Sequence, residues 1–336
     1  MKINNKLLSF RYSKRFFLNR NLLKKIEPRF AQIKQGAHSF CPICSGQEVN
    51  LISEVDRDGF PCDTVICIKC DFVFNNSYIT NSTEFYGDQF GKDRWGDPEK
   101  SFINRTSLDA FTWKRFSFLI KTLDKNFSEI ETILEIGCGD GCNLWPYQLI
   151  GKSVVGCDLS LPFLEVSQTK GLNLILGDAD SIKTQSNFDL ILLIHSFEHI
   201  MDMDATVQST YKRLKDGGFV FVEVPGIINW NQPKKGLLSD MGLKSSNNFL
   251  KYLQFEHNYH FSLEHLKTVW ERNGFELVYG DEWVRAIFIK KDKKKLTNKV
   301  ILNNNSSSLY AHLKNVEKDF LKFTNLLAGI MRRIIR

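Results

Sequence analysis

The sequence predicts an α/β fold built on a mainly parallel sheet covered by helices on both faces. Two observations carry this. Short apolar runs alternate with helical stretches between residues 107 and 290, and the runs have no polar face, as in "FDLILLI" at 188–194. Strands of that kind belong to a sheet buried on both sides. The first run, "TILEIG" at 132–137, also leads straight into "CGDGCN". A glycine-rich turn before a helix lets the backbone come close to a ligand and points free amides at it.

The elements follow in order. Residues 75–104 are polar, aromatic and Gly-rich and read as loop. Helical spacing runs from Ser107 to about Asn126, with Phe111, Phe118 and Leu119 among its apolar positions. After the strand at 132–137, "NLWPYQLI" (143–150) fits a helix with Pro146 in its first turn, where a missing N–H does little harm. "SVVGCD" (153–158) is a strand, and 162–170 a helix that starts at Pro162 and stops at Gly171. Strands are expected at 172–178 and 188–194, a helix at 199–214, and a strand at 217–225 after a GG turn. Residues 226–261 interrupt the rhythm as a long insertion. A helix at 262–274 follows, with Ser262 and His265 as a near capping box, and then two closing strands over 275–290.

The overall charge of +7 hides an asymmetry. Residues 1–36 hold ten Lys/Arg against Glu27, and residues 290–336 hold twelve against Asp292, Glu317 and Asp319. Each end carries +9, so the residues between carry −11. An acidic body argues against nucleic acid lying across it. The basic ends suit either solvent or an acidic surface, such as anionic lipid or a protein partner. The first 36 residues, with apolar and aromatic residues interleaved, are expected to be helical; a mitochondrial transit peptide is the weaker alternative. No apolar run approaches the roughly 18 residues of a membrane span, and no secretory pattern is evident at the N-terminus. The expected location is the cytoplasm, with peripheral contact at the inner membrane face as an option.

At the other end, Leu309, Leu313, Val316, Phe320, Phe323, Leu327, Ile330 and Ile334 form a heptad seam. A coiled coil that makes a homo-oligomer, a helix docked on the body and an amphipathic membrane-surface helix all fit. The chain thus divides into a basic N-terminal segment (1–36), a cysteine module (37–80), the α/β domain (100–290), and a basic linker with the heptad helix (291–336).

Five of the eight cysteines lie between 41 and 70. Cys41-x2-Cys44 and Cys67-x2-Cys70 are two CxxC pairs separated by 22 residues, a tetrahedral thiolate set for structural Zn2+ in a small zinc ribbon. Gly46 lets backbone amides reach the thiolates. A closed four-thiolate site serves folding and not catalysis. Cys62 is a spare that replaces a ligand if the register differs, and a redox role for one pair is a minor alternative.

The stretch "ILEIGCGDGCN" places Glu135 before Gly137, Gly139 and Gly141. It resembles the E/D-x-G-x-G-x-G motif of class I S-adenosylmethionine (SAM) dependent methyltransferases. Three further matches come in the right order. Asp158 ends the second strand, where an acid accepts hydrogen bonds from ribose hydroxyls, with Leu159 beside it. "GDAD" ends the third strand, where the family's adenine-binding acid maps to Asp178 and the neighbouring amide to Ala179. "FDLILLIHSFEHI" resembles the family's fourth strand and next turn, and "LKDGGFVFVEVP" its fifth strand. The resemblance covers about residues 107–290 and implies a Rossmann-like, seven-stranded sheet with SAM as cofactor.

Methyl transfer from a sulfonium needs alignment first, and a general base for a poor nucleophile. His195 leaves the fourth strand beside the expected methyl group and is a candidate for both cofactor contact and base. His257 and His260 in "FEHNYHFS", a string similar to one found before the same helix in the family, are the others; their alternative role is to brace the insertion. "HSFEH" also matches the H-x-x-E-H zinc-protease pattern. It follows a strand, so the two histidines would not share a helix face, and Glu198-His199 is read as shaping the turn.

An N-terminal zinc module before such a domain resembles sugar and polysaccharide-pathway methyltransferases. The expected acceptor is a small molecule or glycan, such as a nucleotide sugar. Two alternatives stay open: an RNA or protein methyltransferase gripping its substrate with the zinc module and basic ends, and a non-enzymatic zinc-ribbon and coiled-coil assembly protein.

Overall fold

The computed structural model describes residues 1–4, 35–80, 82–87, 96–182, 187–229, 249–292 and 307–320. Most of the basic N-terminal segment and the heptad positions beyond Phe320 lie outside the described residues. The strands are β1 (Lys2–Asn4), β2 (Gln35–Ala37), β3 (Glu48–Val55), β4 (Pro61–Cys67), β5 (Val73–Asn75), β6 (Ser77–Ile79), β7 (Thr132–Ile136), β8 (Ser153–Asp158), β9 (Asn173–Leu176), β10 (Phe188–Ile194), β11 (Leu214–Glu223), β12 (Tyr259–His260), β13 (Phe275–Gly280) and β14 (Arg285–Lys290).

The main sheet has seven strands in the order β13-β14-β11-β10-β7-β8-β9. All its pairings are parallel except those of β14 with β11 and β13. The chain runs outward from β7 through β8 to β9, then returns to build β10 and β11 on the other side. That reversal between β7 and β10 is a topological switch, and in open α/β sheets ligands bind at the carboxyl ends of the strands at such a point. β10 is buried along nearly its whole length, as its continuous apolar sequence requires. Leu119, Leu123, Leu144, Tyr147 and Leu164 pack on one face of the sheet; Val207, Leu266, Val269 and Trp270 pack on the other.

The second face is shared with the cysteine module. Cys41, Cys67, Cys70, Phe72 and Phe74 belong to the same apolar core as Tyr259, Phe261 and Trp270. A second sheet, β1-β3-β4-β5-β12, crosses the expected boundary, because β12 comes from the insertion and pairs with β5. Asn75 fastens the joint by donating to the carbonyls of Gln254 and His257 at 3.1 and 2.8 Å.

Several expectations need correction. Lys2–Asn4 is not helical but a strand beside β3. Residues 75–104 are not all loop: β5 ends there, β6 follows, and helices cover Ser82–Tyr86 and Pro98–Thr106. The second helix carries its own start signal, Asp97 accepting from the Lys100 amide at 2.9 Å with Pro98 at the first turn. The next helix begins at Phe111 rather than Ser107 and ends at Leu123, where Asp124 turns to positive φ. The stretch expected as a helix over 199–214 is a 3-10 turn, Phe197–His199, followed by a helix over Met203–Arg213 capped by Asp202. The expected capping at Ser262 is present: its hydroxyl lies 2.7 Å from His265 Nδ1, and it accepts from the His265 amide.

In the C-terminal helix, Ser307–Phe320, the seam residues Leu309, Leu313 and Val316 are buried in one cluster with Ile52, Val55, Ile66, Val73 and Ile227. This part of the seam docks on the chain's own body. Asp71 accepts from the Tyr310 amide in its first turn at 3.2 Å.

Candidate active site

The three glycines of the 137–141 turn differ in what they do. All have positive φ, +73°, +54° and +68°, where a side chain is strained. A Cβ on Gly137 would stand 2.5 Å from that of Ser196, and one on Gly141 would press on Leu172 and Leu174. These two let the turn pack against the sheet. A Cβ on Gly139 would meet only Arg105, at 3.9 Å, so Gly139 is the glycine of the three with free space before it. Its amide donates to Asp158 Oδ2 at 2.7 Å, and Asp158 Oδ1 accepts from Ser160. The acid at the end of β8 therefore lies at the rim of the glycine turn, with Leu159 partly buried next to it.

Glu135 is fully buried beneath the turn. It accepts from Asn143 at 2.7 Å, and burial pushes its pKa up to about 8 despite that bond and the charge of Arg105. It braces the strand against the following segment from below and reaches no solvent. Asp178 ends the third strand as expected, exposed, and caps the short turn Ala179–Ser181 through Asp180 and Ser181. Ala179 is buried behind it.

The helix Pro98–Thr106 closes the turn from above. Ser101 and Arg105 hold the two carboxylate oxygens of Asp140 at 3.0 and 3.2 Å. Sequence reading missed these two residues together with the helix that carries them.

His195 stands at the end of β10 in a left-handed conformation, φ +51°. Its side chain is 46% exposed, and its Nε2 lies 3.2 Å from Glu223 and its Nδ1 3.6 Å from Glu198. Burial opposes a charge here, but the two carboxylates outweigh it and raise the pKa to about 9. The two carboxylates thus favour the protonated imidazolium, which would have to lose its proton before serving as a base. Glu223 is gripped by Arg115 through two bonds, of 2.9 and 2.6 Å. Neither Arg115 nor Glu223 was singled out in the sequence; the only available signal was an acid at the end of a strand beside the switch point.

His257 and His260 flank β12 and are both buried, 5% and 0% exposed. Burial drops the pKa of His260 to about 3, and burial with the neighbouring His199 and His260 holds His257 well below the usual range. His257 stacks edge-on against His199 with ring centroids 4.7 Å apart, which ties it to the Phe197–His199 turn.

The four CxxC cysteines converge. Their sulfurs all lie within 4.8 Å of one another, with Cys41 and Cys70 3.7 Å apart and Cys44 and Cys67 3.5 Å apart. A tetrahedral zinc site, with Zn–S near 2.3 Å, spaces its sulfurs roughly 3.8 Å apart. The two knuckles have the same build. Ser45 and Asp71 take positive φ, and their amides return to the carbonyls of Cys41 and Cys67. The α/β domain supports both: Arg272 donates to the carbonyls of Ile43 and Pro42, and His265 Nε2 meets the Cys70 carbonyl at 2.8 Å. Cys62 is outside this group, buried with Phe60, Ile79, Phe85 and Phe255.

Comparison with known proteins fits this geometry. Residues 111–279 match a family model described as a methyltransferase domain. The chain is 32% identical over 149 residues to a ubiquinone biosynthesis O-methyltransferase of Pelagibacter ubique, covering 40% of this chain and 62% of the relative. It is 29% identical over 153 residues to a malonyl-[acyl-carrier protein] O-methyltransferase of Calditerrivibrio nitroreducens, covering 45% and 60%. The matched stretches thus span under two thirds of these relatives. Among solved structures, the amino pentose methyltransferase CalS10 of Micromonospora echinaspora is similar with a TM-score of 0.41 and 13% identity, over 56% of this chain and 95% of that one. With half of the chain matched by the family model, on the segment that builds the parallel strands of the sheet and the glycine turn, this chain belongs to the methyltransferase-domain family.

Proposed function

We propose that this protein transfers a methyl group from SAM to a small-molecule acceptor. The observation that carries the reading is the pairing of Gly139 with Asp158: a glycine facing open space, its amide bonded to an acid at the next strand end. A ribose hydroxyl pair placed there would find a carboxylate acceptor, and the glycine leaves room for the rest of the nucleoside. Asp178 and the Ala179 amide would serve the adenine, and the sulfonium would point toward His195 at the switch point. The protein's task is then to align methyl, sulfur and acceptor and to exclude water, the sulfonium supplying the driving force. The named relatives methylate oxygen, which favours a hydroxyl or carboxyl acceptor; a glycan or nucleotide sugar belongs to the same class.

The four cysteines support a structural Zn2+. Their donor chemistry and spacing fit it, and all four coordination positions would be filled, so the ion would serve the fold alone. Cytoplasmic location and contact of the basic ends with an anionic surface are part of the same proposal; among the described residues no helix is long and apolar enough to cross a membrane.

Titration calorimetry of the full chain with SAM and S-adenosylhomocysteine tests the donor site. Asp158→Ala should weaken both by about 100-fold or more, the loss of two hydrogen bonds to a charged group at about 1.5 kcal/mol each. Near-normal affinity in that variant would refute the assignment.

A further inference from the structure

The short turn Phe197–His199 and the segment before β12 meet, and they bring together a set of groups with no explanation in methyl transfer. One oxygen of Glu198, one ring nitrogen of His199 and one of His257 lie within 4.8 Å of one another. Glu198 is 1% exposed, and among the described residues neither of its carboxylate oxygens has a hydrogen-bond partner. Its nearest ring nitrogens are His195 Nδ1 at 3.6 Å and His199 Nε2 at 3.8 Å. Those separations are too long for hydrogen bonds. The Glu198–His199 separation is within a few tenths of an ångström of the spacing of two donors sharing one ion with bonds of about 2.0–2.2 Å.

The orientation of His199 is fixed from behind. Its Nδ1 lies 2.9 Å from the carbonyl oxygen of Glu256. A carbonyl can only accept, so Nδ1 donates and the Nε2 lone pair faces Glu198. The Tyr86 hydroxyl sits 3.2 Å from the same Nδ1. A histidine whose rear N–H is bonded to a backbone carbonyl while its other nitrogen faces a carboxylate has the outer support usual for metal-ligating imidazoles. The two segments are also locked to each other: Asn258 donates to the carbonyls of His199 and Ile200 at 2.7 and 3.2 Å. His195 faces this carboxylate at 3.6 Å, but a buried carboxylate with no hydrogen-bond donor still carries a desolvation cost. A cation shared with two imidazoles removes that cost.

We propose that Glu198, His199 and His257 form a second metal site, separate from the cysteines, that binds one divalent transition-metal ion of the zinc type. Two histidines and one carboxylate leave coordination positions open, as in catalytic rather than structural zinc sites. The partly exposed His195 lies 3.6 Å from the Glu198 oxygen, so the site adjoins the strand end where the acceptor is proposed to sit, and its open positions suit an oxygen of that acceptor. That last role rests on the methyl-transfer reading; the metal site itself does not.

The test is metal content and spectroscopy of the full-length chain, reconstituted with Zn2+ or Co2+ and freed of excess metal. Two equivalents are expected, falling to one in Glu198→Gln and in His257→Gln. With Co2+, the thiolate site gives an intense sulfur-to-cobalt charge-transfer band. The second site gives only weak d–d bands, and these alone should vanish in the two variants. A wild-type chain that retains a single equivalent, with only the thiolate spectrum, overturns the proposal, and so does a Glu198→Gln chain that still holds two. The wild-type stoichiometry decides the matter even if a variant fails to fold. Loss of S-adenosylhomocysteine binding with two metals retained would sink the methyl-transfer reading and leave the metal site standing.

Discussion

Nε2 of His195 lies 3.2 Å from Oε1 of Glu223, the same oxygen that Arg115 Nη2 holds at 2.6 Å. Glu223 thus links Arg115, on the helix Phe111–Leu123, to His195 at the end of β10. Burial raises its pKa, but His195 and Arg115 outweigh burial and depress it to about 2 from the usual 4.5. The sign follows from that direction. An acid with a depressed folded-state pKa contributes stability that is fully present above pH 4.5 and is lost as pH falls toward 2. The contribution is on the order of 3 kcal/mol, at roughly 1.4 kcal/mol per pH unit. Melting temperatures of wild type and Glu223→Gln should therefore differ at neutral pH and converge between pH 4.5 and 2. Parallel curves across that window would show that the pair contributes nothing to stability.

The glycine turn makes a sharper distinction. Gly139→Ala places a methyl in open space near only Arg105, so the fold should lose just the cost of the left-handed backbone, about 1–2 kcal/mol. Donor binding should fall far more than stability. Gly137→Ala drives its Cβ against Ser196, whose hydroxyl is engaged with the Ile136 carbonyl at 2.9 Å. Overpacking adds about 1–3 kcal/mol to the same backbone strain, so that variant should be clearly destabilised. Thermal unfolding read beside calorimetry separates the two cases. Equal stability of the two variants would show that the glycines are interchangeable.

How much of this was legible beforehand depended on whether a residue's neighbours were close in sequence. β8 and β10 occur at the expected residues because continuous apolar runs between turn signals leave few choices. The glycines, Asp158 and the paired cysteines were legible because their chemistry depends on short spacing. The helix Pro98–Thr106 carried a local start signal in Asp97 and Pro98, but the surrounding polar and glycine-rich composition masked it. The rest depended on contacts far apart in the chain. Arg115 meets Glu223 across 108 residues, and β12 joins a sheet begun in the cysteine module. "HSFEH" was weighed as a metal motif within one segment. The set that converges takes Glu198 and His199 from that segment and His257 from another.

The C-terminal helix offers a third prediction. Leu313 is 2% exposed and sits in the cluster formed by β3, β4 and β5. Leu313→Ala should cost about 2–5 kcal/mol through lost burial and the cavity left behind. Denaturant unfolding of the full chain would report this as a lower midpoint. Leu313→Asp should be worse, because it buries an unpaired charge. Wild-type stability in the alanine variant would mean that the seam does not rest on the body in solution.

Removal of the Zn2+ proposed at the four cysteines should reach beyond the cysteine module. The knuckles are tied to the α/β domain by Arg272, His265 and the β5–β12 pairing, and their apolar residues share its core. Protonated thiols no longer held by an ion would loosen the turn at Cys70, and with it the carbonyl that meets His265 and the acid, Asp71, that caps the C-terminal helix. Because ion binding to such a site is itself folding free energy, a zinc-selective chelator should lower the melting temperature of the whole chain in one transition. Cys41→Ser should do the same. A chelated protein that melts in two separate steps, with the upper step unchanged, would show that the module unfolds without disturbing the domain. The measurement is calorimetric: one cooperative peak shifted downward supports a shared core, and a new low-temperature peak beside an unmoved one refutes it.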